Sequence, residues 1–175
     1  MKKTLFIFVL VGMMMFFSFS VLGQPGLIHT ALSVKVVNPL TLTENQPMHF
    51  GTITVSSQAG TCAVSTAGVR SRTGGVTLQS IAPFMTLATY TVSGEPLRTY
   101  AITLPLTITV FNGAYSMTIG TLLAKSASGS ISHTATGSLG VGGSEQFVIG
   151  GTLNVSGGQA QGLYQGTFNL TVAYN

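Results

Sequence analysis

The chain has 175 residues, of which only 6% are charged, and a formal net charge of +4. Ordinary soluble domains carry about 25% charged residues, so Thr, Ser, Asn and Gln must do most of the solvating here. There is no Asp and only three Glu. That scarcity argues against carboxylate catalysis, and the lack of Lys/Arg clusters argues against nucleic acid as a partner.

The first stretch is Met1-Lys2-Lys3, then an almost unbroken apolar run from Thr4 to Phe17, then small residues up to Gly23. A basic start, an apolar centre and small residues at Val21 and Gly23 predict a secretory signal cut between Gly23 and Gln24. The run is shorter than the roughly 20 residues a spanning helix needs, which argues against an uncleaved anchor. No later run is long enough to make an integral membrane segment. The expected organisation is a signal peptide at 1–23 and one domain at 24–175. Two of the seven cations leave with the signal, so the mature chain is nearly neutral.

From Ile28 the apolar residues alternate through Leu32, Val34 and Val36, and Leu40 and Leu42 resume the pattern after Asn38-Pro39. Alternation at period two is the mark of a strand with one buried face, and Pro39 predicts a bend or sheet switch there. Gly51 sits where the apolar phase shifts from Met48 and Phe50 to Ile53 and Val55, as in a bulge. Thr73-Gly74-Gly75 reads as a turn into a strand at Val76 and Leu78. Phe84, Ala88, Tyr90 and Val92 alternate next, closed by Ser93-Gly94-Glu95-Pro96. Tyr100, Ile102 and Leu104 form another run, then Leu106, Ile108 and Val110. Asn112-Gly113 between alternating runs is a strong hairpin signal, because both residues accept positive φ. Residues 125–144 read as short edge strands and loop anchored by Ile131 and Leu139. Phe147, Ile149, Leu153 and Val155 alternate around Gly150-Gly151, and Gly157-Gly158 turns into the last run.

That run, Gly162 to Asn175, puts Tyr164, Gly166, Phe168, Leu170, Val172 and Tyr174 on one side and polar residues on the other. It predicts one long half-buried strand. With no apolar helical periodicity after the signal, the fold expected is an all-β antiparallel sandwich of immunoglobulin type.

Chemistry-bearing residues are few. Cys62 is single, which excludes an internal disulfide and suits a small buried side chain better than a reactive thiol. Glu44, Glu95 and Glu145 sit beside turn residues, where solvation is expected. His29, His49 and His133 match no metal-ligand spacing. Arg70 and Arg72 should share a strand face, either solvated or gripping an anionic glycan or a carboxylate. No nucleophile elbow or phosphate loop occurs. The sequence predicts neither catalysis nor a cofactor nor a metal. Asn154-Val-Ser and Asn169-Leu-Thr fit the N-glycosylation pattern, read here as chance.

Two resemblances add to this. Phe50-Gly51-Thr52-Ile53, Arg72 to Leu78, Tyr90 to Pro96, Thr99 to Pro105, Met117-Thr118-Ile119 and Gly162 to Asn175 resemble the secreted bacterial domain-of-unknown-function family 4402. That family implies export and supplies no activity. The closing strand also resembles that of chaperone–usher pilins and their spore-coat-U-like relatives. In those families an aromatic stands next to last and a Gly fourteenth from the end, as Tyr174 and Gly162 do here. The resemblance implies that Gly162, Phe168, Leu170, Val172 and Tyr174 dock a periplasmic chaperone and border a groove. It further implies that Ile28, Leu32, Val34 and Val36 of another copy, or of a related subunit, fill that groove by β-augmentation. The function expected is an exported, non-enzymatic fimbrial or surface-coat subunit, passing through the periplasm to the cell surface or beyond. The alternative is an adhesin-like module, complete as a monomer, that binds a glycan or protein through Tyr115 or through Arg70 and Arg72.

Overall fold

The computed structural model describes residues 33–129 and 131–175. Ten strands and no helix occur among them: β1 (Thr41–Gln46), β2 (Ile53–Val64), β3 (Arg70–Leu78), β4 (Ala88–Ser93), β5 (Thr99–Thr103), β6 (Ile108–Asn112), β7 (Tyr115–Ser126), β8 (Thr134–Ser138), β9 (Ser144–Val155) and β10 (Thr171–Tyr174). They form an antiparallel β-sandwich with one seven-stranded and one three-stranded sheet. The expected signal peptide, its Gly23–Gln24 cleavage point, and Ile28, His29 and Leu32 lie outside the described residues.

Strand β9 is the hub of the larger sheet. Along one edge its first half pairs with β4, from Ser93↔Ser144 to Ala88↔Ile149, and its second half with β2, from Val64↔Gly151 to Gly60↔Val155. The other edge pairs with β7 from Ser126↔Phe147 to Thr118↔Asn154, with an irregularity between Gly120 and Leu123, and β7 in turn carries β6. The neighbour changes at Gly150-Gly151. A Cβ on Gly150 would stand 2.5 Å from the Val64 carbonyl oxygen, so only glycine lets β2 enter where β4 leaves. The smaller sheet has the order β10-β5-β8.

Both sheets close on one core. Phe147, Ile149 and Leu153 of β9, Tyr90 and Val92 of β4, and Ile119 and Leu122 of β7 meet Tyr100 and Ile102 of β5. The period-two pattern puts these residues on one face of each strand, except in β7, where an irregularity between Gly120 and Leu123 brings Leu122 to the same side as Ile119. Tyr90 and Phe147 stack with ring centroids 5.3 Å apart.

Several sequence expectations need correction. Gly74-Gly75 is not a turn but the middle of β3, and the turn lies at residues 65–69. Opposite Gly74–Val76, β2 carries an irregularity between Val55 and Gly60. A Cβ on Gly75 would run into the Gln58 carbonyl oxygen, which is why this corner is built of glycine. No strand precedes Pro39 among the described residues; the first begins at Thr41. Pro39 lacks the N–H that a ladder would need. Phe84, Leu106 and Ile131 stand exposed in loops rather than in the core. The β6–β7 hairpin forms, but its loop is Gly113-Ala114: Asn112 stays in the ladder opposite Tyr115 and Gly113 alone takes positive φ, at 59.

Candidate assembly seam

The closing run is not one long strand. Gln165 exchanges two backbone hydrogen bonds with Phe111 of β6 in the larger sheet, at 2.8 and 2.9 Å. The chain then crosses to the smaller sheet, where Thr171–Tyr174 pair with β5. Gly166 marks the crossing: a Cβ there would lie 2.7 Å from the Thr109 carbonyl oxygen. Gly162 stands at φ 141 against the Asn112 side chain, a backbone position suited to glycine. The alternation nevertheless survives. Tyr164, Phe168, Leu170, Val172 and Tyr174 all turn toward the core, and each is only half-buried.

The Asn175 N–H donates to the Thr99 carbonyl at 3.2 Å. Hydrogen-bonded pairs alternate in an antiparallel ladder, so 171/103 and 173/101 are bonded and the backbone groups of Val172 and Tyr174 point away from β5. The same residues therefore present apolar side chains inward and unused ladder groups along the outer edge.

Tyr174 anchors one end. Its hydroxyl accepts the Glu95 N–H at 2.6 Å and donates to the Asn38 carbonyl at 2.9 Å. This clasp ties the last strand to the β4–β5 turn and to the segment just before β1. A hollow of about 190 Å³ lined by Val37, Arg98 and Tyr174 lies beside it. From the clasp β1 and β10 lead along the edges of the two sheets, and Leu40 and Leu42, like Phe168, Leu170 and Val172, bury only part of their surface. On the N-terminal side of the clasp, Val34 and Val36 are 89% and 88% exposed.

The remaining candidates fall elsewhere. Arg72 and Arg70 pair with Cys62 and Val64, whose side chains are buried, so both arginines lie on the core-facing side of the edge strand β3. Arg70 donates to the carbonyls of Phe50 (3.0 Å), Thr52 (3.4 Å) and Gln79 (2.7 Å), and Arg72 to that of Val76 (3.0 Å). The Arg70 guanidinium is thus committed to backbone carbonyls, whereas Arg72 is exposed and uses one donor on Val76. Tyr115 is exposed at the hairpin tip. Cys62 is fully buried, and burial pushes its thiol pKa up, partly opposed by Arg70. His49 pairs through its backbone with Thr86, and among the described residues no three His, Cys, Asp or Glu side chains gather to hold a metal. None of the described helices could cross a membrane, since none exists; this says nothing of strands.

Sequence reasoning missed Glu145. It is not merely solvated. Its Oε2 accepts the Tyr100 hydroxyl at 2.8 Å and the Ser138 N–H at 2.9 Å, while Oε1 accepts the Ser128 N–H at 2.7 Å. This carboxylate joins β9 of one sheet to β5 and β8 of the other. Burial, then the hydrogen bond to Glu145, holds the Tyr100 phenol well above its ordinary pKa. A Glu at the inward phase of a strand, two residues before Phe147, was the available signal.

Residues 40–174 match the model of a family described as a domain of unknown function, DUF4402, and the chain belongs to that family. No curated protein and no solved structure matches it.

Proposed function

We propose that this member of a family without an assigned activity is an exported, non-enzymatic structural subunit that assembles by β-strand addition at the cell surface. The observation that carries the reading is the seam between β1 and β10. Fully buried side chains fill the centre of the sandwich, yet the apolar faces of both seam strands stay half-covered. An added strand would cover them and would satisfy the outward ladder groups of β10, the combination on which β-augmentation depends. The donor in this reading is the N-terminal run, of which Val34 and Val36 are already extended into solvent. Ile28 and Leu32 would continue it. Before assembly a periplasmic chaperone would cover the same edge.

The test compares residues 24–175 with a version carrying a second copy of residues 24–38 after Asn175. The plain chain should self-associate with rising concentration and unfold at low temperature, and the fusion should be a monomer with a higher midpoint. A plain chain that is already a stable monomer, unchanged by the fusion, overturns the proposal.

A further inference from the structure

On the outer face of the larger sheet, away from the seam, the register places five side chains in one row across five strands. Thr109 of β6 faces Thr118 of β7, Thr118 faces Asn154 of β9, Asn154 faces Thr61 of β2, and Thr61 faces Thr73 of β3. With strands about 4.8 Å apart the row is roughly 19 Å long. An open depression of about 620 Å³ takes in its three middle members, lined by residues 59–61, 116–118 and 154–156, none of them charged.

The row offers both halves of a hydrogen bond. The Thr61 and Thr73 hydroxyls share one bond at 2.7 Å, which leaves one of the two protons for another acceptor. The Asn154 amide nitrogen reaches the Thr118 carbonyl and hydroxyl only at 3.4 Å, and its carbonyl oxygen is an acceptor on an exposed side chain. Beside the depression, Phe111 pairs with Ser116 on the same face and is 56% exposed. A large ring left in water next to a polar trough is a stacking platform.

From this we infer a second binding site, for a linear neutral oligosaccharide. Sugar hydroxyls both donate and accept, as the row does, and the C–H face of a pyranose covers an aromatic ring. The strand spacing is comparable to the length of one sugar residue along a chain. The lack of charge disfavours acidic glycans, phosphates and charged peptides, whose ions would lose water without gaining a partner. The inference stands apart from strand addition, since the seam contributes no residue to it.

Cellohexaose, maltohexaose and the chitin hexamer are the probes, with hexagalacturonate as the acidic control, each titrated into isotope-labelled residues 24–175 while amide shifts are followed. At least one neutral hexamer should move amides of residues 59–61, 116–118 and 154–156 at millimolar concentration, with the acidic control silent. Phe111→Ala and Asn154→Ala should each weaken binding about tenfold, the size of roughly 1.4 kcal/mol, and Phe84→Ala should not. No shifts, shifts that survive Phe111→Ala, or equal response to the acidic sugar would overturn the site. So would broadening of the same amides with protein concentration alone, which would make the face a contact between copies. Unchanged amide dispersion in the variants shows that the fold is intact.

Discussion

Replacing Glu145 by Gln removes the charge of a carboxylate that ties three partners and joins the two sheets, with almost no change in size. The carboxylate accepts from the Tyr100 hydroxyl, the Ser138 N–H and the Ser128 N–H. A Gln amide has one acceptor oxygen. If that oxygen keeps Tyr100 and Ser138, the NH₂ group faces the Ser128 N–H, donor to donor; if it keeps Ser128, two donors lose their acceptor. Hydrogen bonds to a charged group contribute about 1.5–3 kcal/mol. The Ser128 bond lies exposed, where water can replace the lost acceptor, so the cost falls on the part-buried bonds to Tyr100 and Ser138 and is expected to be about 2 kcal/mol. For the unit Val36–Asn175, at about 2.1 cal/mol/K per residue, that corresponds to a melting point lower by roughly 7 °C. Tyr100→Phe removes one such bond and should cost about 1.5 kcal/mol, and the double variant should fall short of the sum, because the two share one interaction. Urea unfolding of the four proteins supplies the cycle. A loss below about 0.5 kcal/mol for Glu145→Gln, or strict additivity, would refute the knot.

Two further outcomes follow from burial and backbone contact. Burial, with a smaller contribution from Glu44, pushes the Tyr90 pKa up to about 12 from 10.0. A pKa raised on folding means the stabilisation is complete below pH 10 and is lost as pH climbs toward 12, by about 2 kcal/mol; Tyr90→Phe should flatten that alkaline decline in a melting-temperature profile, and an unaltered profile would sink the assignment. Gly75→Ala drives a Cβ against the Gln58 carbonyl and should cost about 1–3 kcal/mol in urea unfolding. Gly140→Ala, with open space at its Cβ, should be neutral.

What the sequence revealed was the core-facing side of most strands, though alternation also marked Val36, Phe84 and Leu106, which stand exposed outside any strand. The alternation of Tyr90 and Val92, of Ile108 and Val110, and of Phe168 through Tyr174 identifies core-facing sides, because pleating obliges successive side chains to oppose. Gly113 announces the hairpin through its tolerance of positive φ, although Asn112 stays in the strand and the loop falls one residue later than the dipeptide implies. What stayed hidden was set by partners distant in sequence. Gly74-Gly75 has the composition of a turn, and only the approach of residues 58–60 makes it a corner inside a strand. Arg70 and Arg72 could be placed on one face but not on which one, since that depends on pairing with Cys62 and Val64. The crossing at Gly166 interrupts the last strand without disturbing its pattern, so alternation could not reveal that its two ends serve different sheets.

The edges of these sheets are treated differently, and the difference bears on assembly. Strand β3 directs Arg70 and Arg72 to its inner side, and inward charges discourage another strand from docking. Strand β1 carries Glu44 and a register shift between Glu44 and Gln46. Strand β10, Thr171–Tyr174, has no charge, no proline and no shift. A gatekeeper placed there should block pairing while sparing the fold. Ala173 is exposed and points away from the core, so Ala173→Lys should change unfolding by less than about 0.5 kcal/mol. It should also lower self-association of residues 24–175, read by sedimentation velocity. Lys at Thr43, an exposed position on β1, should leave association as it was. If the β1 variant dissociates the assembly and the β10 variant does not, the added strand enters by the other side of the seam. If neither does, the contact between copies lies away from the seam altogether.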